Sequence, residues 1–362
     1  MHGKYRTLKI NFWPDLRNAN PYQKLFYSFL EPYGVEANPG IKFSTAWIQD
    51  NRNNFDAIHI HWPEGIWRCF GLNAWKEPFH LFKLKTFLKR ANTLDIGVIW
   101  TVHNIMPHDG ERLSDLLGYR FLLKHCDLMI VHSDFVAEKL KKEKSADNSQ
   151  IVVMQHGNYV DCYPAPKNRE KVLQDNGLRT DLPVAACLGH IREYKGIEIA
   201  IEAIKMLGEQ VQLIIAGFPH ENLYISRIMK QIKDVPFYLL LPKILSSQEY
   251  ADFSNASDFF LLPYHNITGS GTLLSAWSFG RCAIASDLPF FREEAKLFPG
   301  ALKLFRSGNA ESLAHVIKEH LLESNEIRNN AAIAAQKLTS WPQVIVPVAE
   351  ALNYMYPKMN KF

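Results

Sequence analysis

The stretch Leu261–Ser286, LLPYHNITGSGTLLSAWSFGRCAIAS, reads as a buried strand, a glycine-containing turn, a helix and a second buried strand. The glycines on either side of Ser270 let the backbone approach a ligand closely. A helix starting near Thr272 aims unsatisfied N–H groups and its positive dipole end at the same place. Gly269, Ser270, Gly271 and Thr272 are therefore candidates for holding a phosphate, although an ordinary strand-turn-helix unit has the same composition.

Outward from that stretch, short apolar β-rich runs alternate with longer amphipathic ones, the pattern of parallel sheets covered by helices on both faces. Strands are expected at Thr7–Phe12, Ala57–His61, Gly97–Val102, Leu128–His132 and Ile151–Met154. The series restarts at Val184–Leu188, Gln212–Ala216, Phe237–Leu241, Phe259–Leu262 and Cys282–Ser286, with a weaker strand at Ala301–Phe305. Helix starts are marked by Asn20-Pro21 and by the capping box Ser246-x-x-Glu249. The fold class is therefore α/β, with two doubly wound Rossmann-like domains. The expected limits are residues 1–165 and 166–340, joined by the turn-rich segment Asp161–Arg169, with 341–362 as a terminal helix lying back on the first domain. Such domains hold ligands at the carboxyl ends of their strands, so a site shared by the two is expected.

Composition excludes several classes. With 362 residues, 47% apolar and 22% charged, the chain has the balance of a globular protein of two ordinary domains. A net charge of +4 does not call for nucleic acid. The five cysteines are scattered without a C-x-x-C pair and read as reduced thiols. No apolar run reaches the length of a membrane span, and Met1–Arg6 is polar and leads straight into a strand, so a cytoplasmic chain without signal peptide is expected.

A second basic site lies upstream, in Leu188-Gly-His-Ile-Arg-Glu-Tyr-Lys-Gly196. Here a strand ends in a loop carrying His190, Arg192 and Lys195 and then enters a helix. Two cations and a helix N-terminus suit a pyrophosphate approached from two sides. From Gly189 to Ser286 five elements then follow in order: G-x-x-x-x-x-K-G at Gly189–Gly196, a strand ending in Ala216-Gly217, the Ser246–Glu249 box, a strand running from Asp258 to Pro263, and a helix ending in Phe279-Gly280 before an apolar strand. This half resembles the donor-binding domain of GT-B fold glycosyltransferases, in particular the bacterial exopolysaccharide branch related to family-4 enzymes. The resemblance implies a sugar transferred from a nucleotide donor, GDP- or UDP-linked, with Arg192 and Lys195 on the donor phosphates. It departs in one respect. Two glutamates that retaining relatives carry on the phosphate loop and helix are replaced by Ile267 and Ser275, which leaves the stereochemistry and the ribose contact open.

The first domain adds His59-Ile-His61-Trp-Pro-Glu64 and Thr101-Val-His103-Asn104-Ile-Met-Pro-His108-Asp109, each placed where a strand end feeds the ligand crevice, and both resemble segments of the same branch. An inverting transfer needs a general base, for which Glu64 and Asp109 are the carboxylates in place, with His103 and His108 as alternatives. A retaining transfer needs no such base, and His103 would then contact the donor sugar, as the resemblance implies. His61 and Asn104 are further crevice candidates, as are His156 and Gly157 in the turn that follows the Ile151–Met154 strand. There is no D-x-D pair and no convincing histidine ligand set, so a metal-independent reaction without a cofactor is expected. Trp75–Arg90 is a basic amphipathic run suited either to a core-facing helix or to peripheral contact with an anionic membrane carrying a lipid-linked acceptor. The expected function is glycosyl transfer to a glycan or lipid-linked oligosaccharide in surface polysaccharide synthesis. The alternatives are a GT-B glycan- or nucleotide-binding protein without activity, and an epimerase or phosphorylase on the same fold.

Overall fold

The computed structural model describes residues 6–18, 20–69, 71–104, 112–143, 150–233, 235 and 237–357. The chain divides into two compact units, Met1–Gly157 with Trp341–Phe362, and Asn158–Ser340. The chain has the GT-B architecture in outline, a six-stranded parallel sheet with helices in each unit.

The first unit contains β1 (Leu8–Trp13), β2 (Val35–Pro39), β3 (Ala57–Ile60), β4 (Gly97–Thr101), β5 (Leu128–Val131) and β6 (Gln150–Val153), in the order β2-β1-β3-β4-β5-β6. β3, β4 and β5 are almost wholly buried and, apart from His59 and Thr101, apolar, which is the condition of central parallel strands. Among the expected strands β2 is missing. Its sequence, VEANP, buries only Val35 and ends in proline, because it is an edge strand bonded to β1 alone. The helix Pro21–Leu30 follows β1 and is capped by Asn20, whose side chain accepts from the Tyr22 N–H at 3.0 Å.

The second unit contains β7 (Val184–Leu188), β8 (Gln212–Ala216), β9 (Tyr238–Leu241), β10 (Phe259–Leu262), β11 (Cys282–Ser286) and β12 (Leu302–Phe305). Their order, β9-β8-β7-β10-β11-β12, is that of doubly wound nucleotide-binding sheets, with the direction of winding reversing between β7 and β10. Both halves of the capping box form at the helix Ser247–Ala256, Ser246 Oγ accepting from Glu249 N at 3.2 Å and Glu249 accepting from Ser246 N at 2.8 Å.

The boundary between the units lies at Gly157, ahead of the expected linker. Asn158 and Tyr159 are buried and fastened within the second unit, Asn158 N donating to Thr339 O at 2.9 Å and Tyr159 N to Ser278 Oγ at 2.7 Å. The helices Trp341–Val344 and Val346–Met355 count with the first unit. Among the described residues no helix is long and apolar enough to cross a membrane.

One ion pair secures the loop that follows β3. Asp115, on the helix Leu113–His125, accepts from Arg68 Nε at 2.9 Å and Nη2 at 2.6 Å, and from Trp67 Nε1 at 2.9 Å. The Arg68 and Asp115 side chains are 6% and 0% exposed, so removing one partner strands a buried charge. Asp115→Ala is expected to lower the unfolding free energy by about 3–5 kcal/mol in urea denaturation. A loss near that of an exposed pair, under about 1 kcal/mol, would contradict this.

Candidate functional site

In the second unit the winding reversal brings the loop after β7 beside the loop after β10, and most of the expected phosphate residues lie on these two loops. The helix Gly271–Ser278 begins there, with Ser270 as its cap, accepting from Leu273 N at 3.2 Å. Ser270 and Thr272 both lie near the Tyr264 hydroxyl. Lys195 is buried, and its Nζ lies 5.4 Å from the centre of the Tyr264 ring. A Cβ placed on Gly189 would sit 3.4 Å from that Nζ and 3.8 Å from Thr272 Oγ1, which puts the ammonium and the helix N-terminus around one glycine. Among the described residues no carboxylate pairs with Lys195, and burial lowers its pKa. A buried cation without a counter-charge, beside a helix N-terminus, is a site for an anion.

Gly217 makes this arrangement possible. At φ +148° it lies so close to the loop after β7 that a Cβ would be 1.6 Å from the Gly189 carbonyl oxygen. The residue three positions on, His220, was not among the expected site residues. Arg192 Nη2 lies 3.1 Å from its Nδ1, and its Nε2 is 3.2 Å from His190 Nδ1. The expected Arg192 and His190 are thus brought together through a histidine at the end of the neighbouring strand β8. Its position just past Ala216-Gly217 was the available signal. Ile267 and Ser275 are both buried, and Ser275 lies near the Tyr163 and Tyr250 side chains.

In the first unit four successive strands each carry a histidine just past their carboxyl ends: His61 after β3, His103 after β4, His132 after β5 and His156 after β6. The Tyr22 ring packs against all four, at 6.2, 4.9, 5.4 and 4.9 Å between centroids. His103 also stacks on Trp62 at 4.1 Å and 10°. Trp62 has φ +32°, an uncommon conformation for a bulky residue, at the point where its ring meets His103. His132 and His156 donate from Nδ1 to the carbonyls of Met154, at 2.9 Å, and Gly157, at 2.7 Å. Gly157 is required by close approach, since a Cβ would stand 2.3 Å from the Trp341 ring. Tyr22, Tyr27, Trp62 and His132 were not foreseen, although a histidine closing the Leu128–His132 strand repeats the pattern of His61 and His103.

Glu64 is engaged away from this cluster, near Arg68 and Asp115. Its carboxylate accepts the Tyr119 hydroxyl, and burial raises its pKa against that hydrogen bond. Asn104 is half-buried beside His103. His108 and Asp109 lie outside the described residues. Among the described residues no group of three or more His, Cys, Asp or Glu side chains is placed to hold a metal ion.

Burial pushes His59 and His156 down to about 3 and His132 to about 4, and holds His61 and His103 well below the usual histidine value. The unfolded chain therefore binds more protons than the folded one below about pH 6.5. Stability is fully present above that pH and falls as the pH drops toward 4, by about 1.4 kcal/mol per pH unit for each histidine. His132→Asn is expected to flatten the slope of unfolding free energy against pH by about one proton's worth between pH 6 and 4.5. An unchanged slope would contradict the burial of a neutral ring.

Comparison with known proteins shows a family match over most of the second unit. Residues 168–338 match the family model "Glycosyl transferases group 1". The GDP-mannose:glycolipid 4-beta-D-mannosyltransferase of Xanthomonas campestris pv. campestris is 24% identical over 278 residues, covering 74% of this chain and 70% of that protein. Among solved structures, Anabaena Alr3699/HepE in complex with UDP and glucose superposes with a TM-score of 0.70 at 15% identity, over 97% of this chain and 100% of that one. Sucrose-phosphate synthase of Thermosynechococcus elongatus does so with a TM-score of 0.74 at 13% identity, with the same coverage.

Proposed function

We propose that this chain, which has the GT-B fold and matches the family model "Glycosyl transferases group 1" over residues 168–338, is an enzyme that transfers a sugar from a nucleotide-sugar donor to a glycan or lipid-linked acceptor. The observation that carries this reading is the buried, carboxylate-free Lys195 beside the N-terminus of the helix Gly271–Ser278. Departure of a nucleoside diphosphate builds negative charge on its phosphate oxygens, and positive groups fixed in a low-dielectric site stabilise that charge without reorganising. Lys195, Arg192 and the N–H groups at Gly271 and Thr272 supply it, so the reaction proposed is metal-independent. Gly269, Ser270 and His190 complete the donor side. His103, Asn104 and His156, partly exposed past the carboxyl ends of the first unit's strands, are the residues proposed for the sugar, with His61 and Gly157 buried behind them. Glu64 or Asp109 is the base if the transfer inverts the anomeric centre. A GDP- or UDP-linked donor accords with the GDP-mannose named for the Xanthomonas relative and the UDP bound to the Anabaena protein.

The proposed acceptor is lipid-linked, in surface polysaccharide synthesis, with the enzyme cytoplasmic and peripheral on the membrane. The helix Glu77–Thr93 supports this. It buries Leu81, Leu84, Phe87 and Leu88, while Trp75, Phe79 and Phe82 are 75%, 56% and 63% exposed. Lysines accompany these rings, Lys76 over Trp75 and Lys83 over Phe79. Exposed aromatics interleaved with cations suit an anionic leaflet. The protein is expected to sediment with phosphatidylglycerol vesicles and far less with phosphatidylcholine ones. F79S/F82S is expected to abolish that binding, and equal sedimentation with both lipids would contradict it.

A nucleotide- or glycan-binding protein without transfer activity is the second reading, favoured by Ile267 and Ser275 standing where related enzymes have carboxylates. A panel of nucleotide sugars, with membrane extract as acceptor, separates the two. Release of nucleoside diphosphate from one donor, unchanged by EDTA and lowered about 10²–10³-fold by Lys195→Ala, is expected. No release from any donor would favour the binding protein, and isomerised donor without release would indicate an epimerase.

A further inference from the structure

A chain of hydrogen bonds in the first unit has a direction that its far end determines. Thr101 Oγ1 lies 2.8 Å from His59 Nε2, and His59 Nδ1 lies 2.9 Å from the Tyr27 hydroxyl. That hydroxyl lies 2.9 Å from His61 Nε2, and His61 Nδ1 lies 3.0 Å from His103 Nε2. The three imidazoles are held neutral by burial, so each has one N–H and one lone pair, and the phenol has one proton to give. Fixing the direction of one bond therefore fixes the rest.

Thr101 fixes it. Its side chain is fully buried, and among the described residues His59 Nε2 is the acceptor its hydroxyl reaches. The threonine donates to His59 Nε2, His59 Nδ1–H to Tyr27, the Tyr27 hydroxyl to His61 Nε2, and His61 Nδ1–H to His103 Nε2. The proton of His103 is then on Nδ1. In the reverse direction His59 Nε2–H would donate to the threonine oxygen and leave the threonine proton buried without an acceptor. That penalty favours the first direction by roughly tenfold or more.

We propose that Thr101, His59, Tyr27 and His61 are positioning residues that lock His103 in its Nδ1–H form, so that its outer nitrogen is a hydrogen-bond donor and not a proton-accepting base. Trp62 sets the plane of the ring by stacking on it. His103 is partly exposed, and its ligand is an oxygen with a free lone pair, a hydroxyl or ring oxygen of a bound sugar. That ligand assignment rests on the glycosyl transfer reading; the tautomer does not. Acceptor deprotonation in an inverting transfer then falls to one of the remaining candidates, Glu64, Asp109 or His108.

The test is nitrogen-15 NMR of histidine side chains in the full chain, with the His103 signals identified by their loss in His103→Gln. The expected result is a protonated, pyrrole-type Nδ1 and a pyridine-type Nε2 on His103. Thr101→Val removes the group that sets the direction and is expected to mix the two forms, drawing the two His103 shifts together, while Thr101→Ser restores the separation. Tyr27→Phe cuts the chain in its middle and is expected to mix them as well, which keeps the test valid if the valine variant does not fold. A wild-type His103 protonated on Nε2, or a tautomer indifferent to both Thr101→Val and Tyr27→Phe, would overturn the proposal. Neither readout needs a substrate, so absence of turnover with every donor would sink the enzymatic reading and leave the tautomer result standing.

Discussion

The second unit is arranged around an ammonium group that costs stability. Burying a charge without an opposite charge is among the most unfavourable things a fold does, and among the described residues no carboxylate pairs with Lys195, whose ammonium lies over the face of Tyr264. Evolution of stability alone would replace it with an apolar side chain of the same length. Its cost is offset by the apolar sheet beneath, where β7, β8, β10 and β11 are buried throughout. The neighbouring features then make sense together. The close approach of Gly217 to Gly189 and the capped helix at Ser270 both shape the loops around the cation. A local departure from stability rules amid a consistent fold is where function is expected.

The first unit spends polar groups differently. Burial favours the neutral form of the four histidines that follow β3 to β6, and they form a polar layer across the carboxyl ends of those strands with Tyr22 packed against them. Parallel strands make this possible, because every strand of such a sheet ends at the same edge, so one residue type repeated past each end converges on one region. Two backbone carbonyls accept from Nδ1 of His132 and His156, hydroxyls bond His59 and His61, and His61 in turn bonds His103. In the proposed function only the partly exposed rings of this layer, His103 and His156, meet the sugar, and the buried rings hold them in place.

Much of this was legible in the sequence, for physical reasons that particular residues illustrate. Central parallel strands are apolar on both faces, so β7, β8, β10 and β11 were readable to the residue, whereas β2, half-exposed at the sheet edge and ended by Pro39, carries no such signal. The loop cations and the helix start near Thr272 were visible because charge and capping chemistry are local. Contacts between distant segments were not. Arg192 meets His220 across β7 and β8, and Tyr27 joins His59 to His61 from a helix that sequence spacing ties only to Asn20-Pro21. The prolines at 164 and 166 suggested a linker, but the buried bonds of Asn158 and Tyr159 decide where the second unit begins.

The claim that Lys195 is retained for a nucleoside diphosphate at the expense of stability is tested most directly by pairing two measurements on Lys195→Met. Calorimetric titration with UDP and GDP, alongside urea unfolding of the free protein, gives affinity and stability for the same variant. The account predicts that the wild type binds one of the diphosphates, that the variant binds it at least about tenfold more weakly through loss of a charge-assisted contact, and that the free variant is as stable or more so. Equal affinity in the two proteins, or a variant that is much less stable, would mean that Lys195 serves the fold and not the ligand.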